Sequence, residues 1–127
     1  MPVITRLLPA VPLLATLAAC GWQGPPLAGQ PGLQWQVISF YDGRAMENHA
    51  SCPTPHLRSI IATRVVEETP ERVVMDLRYY WVDDQVQYTV NGGQVSCQDW
   101  GERTFTFARA SDGTLTVVAM SGPQKRA

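Results

Sequence analysis

The sequence lacks a strong net charge and lacks the glycine-rich motifs that hold phosphate groups. Its 127 residues carry 10 basic and 11 acidic side chains, for a formal net charge of −1. A basic cluster occurs only at Lys125-Arg126, near the C-terminus. Nucleic-acid-binding proteins usually present a basic patch, and nucleotide enzymes usually carry a P-loop or a dinucleotide fingerprint. We therefore expect no nucleic-acid partner and no cofactor.

Motifs of covalent and acid–base catalysis are also missing. Ser121 stands in Met-Ser-Gly-Pro, without the G-x-S-x-G elbow of hydrolases. Adjacent acids occur at Glu67-Glu68 and Asp83-Asp84, at the ends of predicted strands. Neighbouring side chains of a strand point to opposite faces, so neither pair converges on one substrate atom. The sequence therefore favours a protein that is not an enzyme.

The N-terminal segment has the layout of an export signal. One positive charge lies in Met1–Arg6, and the uncharged apolar run Leu7–Ala19 is shorter than the about 20 residues of a membrane-spanning helix. The run ends in Leu17-Ala18-Ala19-Cys20, which resembles the lipobox of bacterial lipoproteins. The resemblance implies removal of residues 1–19 and attachment of lipid to Cys20, which anchors the chain in the cell envelope. The alternative is an ordinary signal peptide.

The residues after Cys20 predict the location and the domain organisation. The lipoprotein resemblance implies that an Asp after the cysteine would retain the protein in the inner membrane, so Gly21 favours the periplasmic face of the outer membrane. Residues 20–32 are rich in glycine and proline and uncharged, which is typical of a flexible tether. We expect one domain over 33–122 and a C-terminal tail over 123–127.

Two cysteines remain once Cys20 carries lipid. In an exported chain, the even pair Cys52 and Cys97 predicts a disulfide. The alternative is a metal site, because His49, Cys52 and His56 form H-x2-C-x3-H. Imidazole and thiolate suit zinc or copper, and a nearby glutamate, residue 47, could supply a fourth ligand.

Hydrophobic periodicity predicts one helix followed by an antiparallel sheet. Helical spacing runs from Leu33 to about residue 48, although its first residues also alternate as a strand would. Four later segments are typical of strands: Leu57–Glu67, Arg72–Val82, Arg103–Arg109 and Thr114–Met120. A further strand or loop is expected from Val86, with a tight reversal at residues 91–93. We therefore expect an α+β fold with one N-terminal helix on a curved antiparallel sheet of about four strands.

The segment Arg72–Val82 alternates almost strictly between apolar and other side chains. The apolar set that shares one face is Val73, Met75, Leu77, Tyr79 and Trp81. We expect this set to face the helix and Asp76 and Arg78 to face outward, because burying charges without partners would cost several kcal/mol.

A helix followed by a four-stranded meander resembles the cystatin-like group, which includes the cone-shaped fold of nuclear transport factor 2 and its bacterial relatives. Phe40-Tyr41 on the helix and the closing hairpin TFTFARASDGTLTVVAM carry this resemblance. Enzymes of that group hold an acid or a base inside the cone. The resemblance therefore implies two alternatives, an enzyme of that kind or a module that binds a small apolar ligand.

Aromatic residues indicate a recognition surface. Tyr80 points away from the predicted core and, with Trp100, could line a binding site together with Asp76 and Arg78. Our leading interpretation is a non-enzymatic envelope lipoprotein that binds a protein or another envelope component. A second candidate follows from Ser121-Gly122, which resembles the Ser-Gly loop that C-type lysozyme inhibitors present to the enzyme.

Overall fold

A computed structural model of the chain describes residues 26–48, 51–84, 89–90, 93–94 and 97–126. The predicted lipidation site Cys20, the signal peptide, His49 and the expected reversal at residues 91–92 lie outside the described residues. In the described ranges, helix α1 (Leu33–Arg44) follows a short 3-10 turn, Leu27–Gly29. No helix of these ranges is long and apolar enough to cross a membrane.

The strands form one main sheet and one small hairpin. They are β1 (His56–Glu68), β2 (Arg72–Val82), β3 (Thr89–Val90), β4 (Gly93–Gln94), β5 (Gln98–Arg109) and β6 (Leu115–Met120). The main sheet is antiparallel in the order β1-β2-β5-β6, and β3 pairs with β4. One helix packed on a four-stranded antiparallel sheet confirms the α+β prediction.

The two ends of the main sheet differ. At one end, which we call the disulfide end, β2 finishes and β5 begins beside the Cys52–Cys97 bond. At the other, which we call the turn end, residues 69–71 connect β1 to β2 and residues 110–114 connect β5 to β6. The bond at the disulfide end confirms the predicted pairing of the cysteines.

Helix α1 ends at Arg44, earlier than the predicted end near residue 48. The backbone of the next residues is used elsewhere: Ala45 forms a bridge with Gln124, and Glu47 forms one with Cys52. A helix continued to residue 48 would lose these pairs. The helix buries Leu33, Gln34, Val37 and Tyr41 against the sheet.

Strand β2 occupies the predicted residues and has the predicted facing. All five of its predicted core side chains are at most 5% exposed, namely Val73, Met75, Leu77, Tyr79 and Trp81. Arg78 is exposed on the other face. Their burial fixes the register, since a slip of one residue would exchange the two faces.

Asp76 faces outward as predicted, but partners on the neighbouring strands cover it. It lies on the outer face, yet it is only 8% exposed. Thr104 of β5 donates its hydroxyl to Asp76 Oδ1 at 2.7 Å, and Arg64 of β1 donates Nε to Oδ2 at 2.9 Å. The Thr104 hydrogen bond, then the Arg64 hydrogen bond and charge, hold the pKa of Asp76 below its ordinary value. The carboxylate thus has partners in both neighbouring strands, β1 and β5.

Strands β5 and β1 are longer than the segments that the sequence predicted. β5 begins at Gln98, five residues before the predicted Arg103, because the polar stretch before Arg103 pairs with the end of β2. β1 lies at one edge of the sheet, and its register against β2 shifts at three places along 13 residues.

The segments on either side of the predicted domain are held against it. Leu27 is 3% exposed, and the Gln30 amide donates to Leu115 O at 2.9 Å and accepts from Leu115 N at 2.7 Å. Residues 27–32 are therefore part of the domain rather than of a free tether. The predicted tail is also bound, since Lys125 N donates to Arg44 O at 2.7 Å.

Candidate functional site

A buried guanidinium lies where the helix, the sheet and the C-terminal residues meet. Arg103 stands on the inner face of β5, and its side chain is 2% exposed. Nε donates to Tyr79 Oη at 2.8 Å, and Nη1 donates to Ser121 O and Pro123 O at 2.9 and 3.0 Å. Nη2 donates to Met46 O at 2.8 Å. One side chain thus joins three segments of the chain.

Glu47 completes this cluster, which we call the Arg103 cluster (Tyr41, Glu47, Tyr79 and Arg103). Its Oε2 accepts the hydroxyl of Tyr41 at 2.5 Å and that of Tyr79 at 2.6 Å, and it lies 3.3 Å from Arg103 Nη2. Burial, reinforced by the Glu47 carboxylate, raises the pKa of both tyrosines above their ordinary value. Both hydroxyls therefore stay neutral donors at physiological pH.

Two glycines make room for the Arg103 cluster. Gly101 lies opposite Tyr79 in the β2–β5 ladder, and a Cβ there would lie 2.6 Å from Tyr79 Oη and 2.7 Å from Cζ. Gly122 has φ +90°, and a Cβ there would lie 2.8 Å from Arg103 Nη1. The predicted Ser-Gly recognition element therefore packs against Arg103. The hydroxyl oxygen of Ser121 also accepts a hydrogen bond from Thr104 N at 2.8 Å.

An open groove of about 470 Å³ lies at the disulfide end of the sheet. We call it the groove, and its lining residues are Glu47, Asn48, Trp81, Gln98, Asp99 and Trp100. Glu47 belongs to both the groove and the Arg103 cluster. A small hairpin holds it in place, since Glu47 and Cys52 exchange two backbone hydrogen bonds of 3.0 and 3.1 Å.

Three of the four predicted binding-surface residues meet on the outer face of the sheet. The rings of Tyr80 and Trp100 are 5.4 Å apart, and the guanidinium of Arg78 lies 5.2 Å from the Trp100 ring centre. We call these three residues the aromatic patch. The fourth, Asp76, is held by Arg64 and Thr104 instead.

The disulfide removes the thiolate from the alternative metal site. Cys52 is bonded to Cys97, so it supplies no thiolate to a metal. His56 Nδ1 lies 3.1 Å from Asp42 Oδ2, and His49 lies outside the described residues. In the part of the chain that the structure describes, no three His, Cys, Asp or Glu side chains are grouped to hold a metal ion.

The sequence interpretation missed the Arg103 cluster. The one signal in the sequence was the alternation of side chains along the strand. Arg103 lies two and four residues before Phe105 and Phe107, so it faces the same inner side as they do. Of the acid pair Asp83-Asp84, Asp84 pairs with Arg58 in solvent, whereas Asp83 is buried and accepts hydrogen bonds from Thr54 N and Oγ1.

Comparisons of the chain with models of known families, with curated proteins and with solved structures found no match.

Proposed function

We propose that the chain is a membrane-anchored envelope lipoprotein that binds another envelope component and catalyses no reaction. The lipobox at residues 17–20 supports the anchor. The aromatic patch and the adjoining groove support the binding role, because both offer aromatic and polar groups at the surface.

The observation that carries the binding proposal is the position of Trp100. Its ring belongs to the aromatic patch, the residue is also among those that line the groove, and it is 43% exposed. Large aromatic side chains beside an arginine are typical of the residues that dominate binding energy in interfaces. Trp100 therefore joins two surfaces into one region at the disulfide end.

The Arg103 cluster supports the absence of a reaction. Glu47 contacts the inward-facing Tyr79 and Arg103, and its Oε2 already accepts two tyrosine hydroxyls beside that guanidinium. A general base needs a free position within hydrogen-bond reach of the substrate and a pKa near the working pH. Tyr41 and Tyr79 also do not serve as bases, because the pKa of each is raised. The cluster is better suited to holding the groove in shape.

The binding proposal is tested by photo-cross-linking in intact cells. A photoreactive phenylalanine analogue at position 100 should form an adduct with an envelope component. The matched control is position 118, because Val118 is 52% exposed on β6 and lies outside the groove and the patch. Equal adducts at both positions, or none at position 100, would contradict the proposal.

The anchor is tested separately. Cys20→Ser should leave an unlipidated precursor that retains residues 1–19, so its mass should differ from that of the wild-type protein. Gly21→Asp is the matched variant, since the lipoprotein resemblance implies that it keeps the lipid but moves the protein to the inner membrane. Wild-type mass and fractionation of Cys20→Ser would show that no lipid is attached there.

A further inference from the structure

We propose that the outer face of the main sheet docks a second copy of this chain. The inference rests on the binding role proposed for the aromatic patch, and it names the component that the patch binds. The outer face is the side of the sheet opposite helix α1, and it carries Ile61, Arg78, Tyr80, Trp100 and Glu102. Ile61 is 50% exposed and Trp100 is 43% exposed, so apolar side chains are open to solvent on both flanks of Arg78.

Arg78 differs from the other arginines of the main sheet. The four strands hold six arginines. Five of them lie within 3.3 Å of a carboxylate oxygen, namely Arg58, Arg64, Arg72, Arg103 and Arg109. Arg78 has no carboxylate partner among the residues that the structure describes, and its guanidinium lies beside the Trp100 ring instead. Glu102 stands directly opposite Arg78 in the β2–β5 ladder, is exposed, and forms no ion pair with another described residue. Both charges are therefore available to a partner.

The two available charges favour a partner that carries the same pair. An anionic ligand would be attracted by Arg78 and repelled by Glu102, and a cationic ligand would meet the reverse. A surface with one base and one acid at the same separation satisfies both charges, and this face is itself such a surface. In a symmetric dimer, residue i of one copy contacts residue j of the other, and j contacts i. Arg78 of each copy thus pairs with Glu102 of the other.

The β2–β5 ladder defines how the two copies are arranged. Arg78 is opposite Glu102, and Tyr80 is opposite Trp100, in successive rows of the outer face. When two such faces pack as aligned sheets, a two-fold axis along the strands, between β2 and β5, places each residue over its ladder partner in the second copy. Each Tyr80 then lies over Trp100 of the other copy, beside the two ion pairs. Aromatic side chains and arginine are the residues typical of the centre of an interface.

The outer face is large enough for a weak dimer. Strand β2 has 11 residues, which is about 36 Å at 3.3 Å per residue, and four strands at about 4.8 Å spacing are about 19 Å wide. The face therefore offers about 700 Å² per copy, or about 1,400 Å² for two copies. Specific interfaces bury about 1,200–2,000 Å². We expect a reversible dimer at the lower end of this range, with a dissociation constant in the micromolar range.

The same axis agrees with the proposed lipid anchor. The chain enters the domain at the turn end, where Gln30 is bonded to Leu115. An axis along the strands places the turn ends of both copies on the same side, so both lipids reach one bilayer. An axis across the strands would separate the turn ends by about the 36 Å length of β2, whereas the residues from Cys20 to Pro26 extend at most about 20 Å. It would also bring Arg78 onto β2 of the second copy rather than onto Glu102.

The test is charge reversal in trans, with the protein that cells produce, purified in detergent. The wild type should show a monomer–dimer equilibrium in sedimentation at micromolar concentration. Arg78→Glu and Glu102→Arg should each weaken the dimer at least about 10-fold, because each variant brings like charges together with a copy of itself. A mixture of the two variants should form a heterodimer with about the wild-type affinity, since the two altered charges attract each other and the two unaltered charges still pair.

Glu68→Arg is the matched control and should leave the dimer unchanged. Glu68 is an exposed acid, but its ladder partner is Val73, so it lies on the inner face. Thermal unfolding of each variant, measured at a concentration at which the monomer predominates, shows whether the fold is kept. The heterodimer separates a contact between copies from repulsion within one copy, because mixing two chains does not change the charges within either.

Three results would overturn the inference: a wild-type protein that is monomeric at millimolar concentration, folded single variants that dimerise as the wild type does, or a mixture that forms no heterodimer. In intact cells, the photo-cross-linked adduct at position 100 should have twice the mass of the chain. An adduct with a different component, formed by a protein that sediments as a monomer, would remove the second copy as partner and leave the envelope-binding proposal standing.

Discussion

At the scale of single residues, Arg103 explains how the C-terminal residues and the segment after the helix stay in place. Its guanidinium donates to the backbone of both segments and to Tyr79, and it faces Glu47. Taking two charges out of water is costly, so such a pair is favourable only when the remaining hydrogen bonds are made. Here the guanidinium nitrogens all have partners.

Arg103→Met should therefore destabilise the protein by about 3–5 kcal/mol, because Glu47 is left buried without its partner charge. Urea unfolding measures the change. Arg78→Ala is the matched control, since Arg78 is exposed and its loss should cost well under about 1 kcal/mol. Similar losses for the two variants would contradict the role given to the Arg103 cluster.

Gly101→Ala tests the close approach of Tyr79. The added Cβ would lie within 3 Å of three ring and hydroxyl atoms of Tyr79, and such overpacking costs about 1–3 kcal/mol. Gly43→Ala is the matched control with the opposite sign. A Cβ at Gly43 meets nothing within 4 Å in helix α1, so it should stabilise by about 0.5–1 kcal/mol. Thermal unfolding of both variants measures these changes. A Gly101→Ala protein as stable as the wild type would exclude the close contact between residue 101 and Tyr79.

At the scale of elements, the Asp76 carboxylate ties the outer faces of three strands. Its pKa is lowered in the folded protein, mainly by Thr104 and then by Arg64. A carboxyl with a lowered folded pKa stabilises the fold above its unfolded pKa of about 3.9, and this stability is lost as the pH falls through the folded pKa. We expect the urea concentration at the unfolding midpoint of the wild-type protein to decrease when the pH is lowered below about 4.

Asp76→Asn should lower the midpoint at pH 7 and flatten its decline in acid, because the titrating carboxyl is gone. Glu102→Gln is the control, since Glu102 is an exposed acid of β5 on the same face. A decline in acid that is as steep in Asp76→Asn as in wild type would assign the acid sensitivity to other groups.

The elements that local pattern could predict are those whose burial follows one period. Strand β2 was predicted with its bounds and its facing, because apolar side chains alternate along all of it. The end of helix α1 could not be predicted, since Gln124, which pairs with Ala45, stands far away in the sequence. The start of β5 is polar, and only its pairing with β2 makes it a strand.

The candidate site was partly predictable. Strand parity predicted that Tyr80 points away from the core, and Trp100 was grouped with it as a second aromatic side chain; the structure places their rings 5.4 Å apart. Glu47 and Arg103 meet only through the chain topology, because Glu47 follows helix α1 and Arg103 lies on β5. No spacing in the sequence reveals such a pair.

At the scale of the whole molecule, the disulfide closes a loop of 45 residues between the hairpin and β5. Loop closure of this length should stabilise by about 4 kcal/mol in the chain-entropy account. The double variant Cys52→Ala/Cys97→Ala should lose about this amount in urea unfolding. Hydrogen exchange should also accelerate at residues 47, 48 and 51–52 more than in β2, because the bond holds that hairpin against the sheet. Unchanged exchange at the hairpin would show that the Arg103 cluster alone holds it.

Strand β1 forms an open edge of the sheet, and its features affect how copies of the chain can associate. The proposed lipid anchor would concentrate copies of the chain in two dimensions, where an open sheet edge can recruit the same edge of a neighbour into a growing cross-β assembly. Along β1, the three register shifts interrupt the straight ladder that such growth needs, and Arg64 and Glu67 are charged side chains at the edge. These features oppose edge-to-edge pairing between copies of the chain, whereas Ile61, Val65 and Val66 of the same strand are about half exposed and favour it.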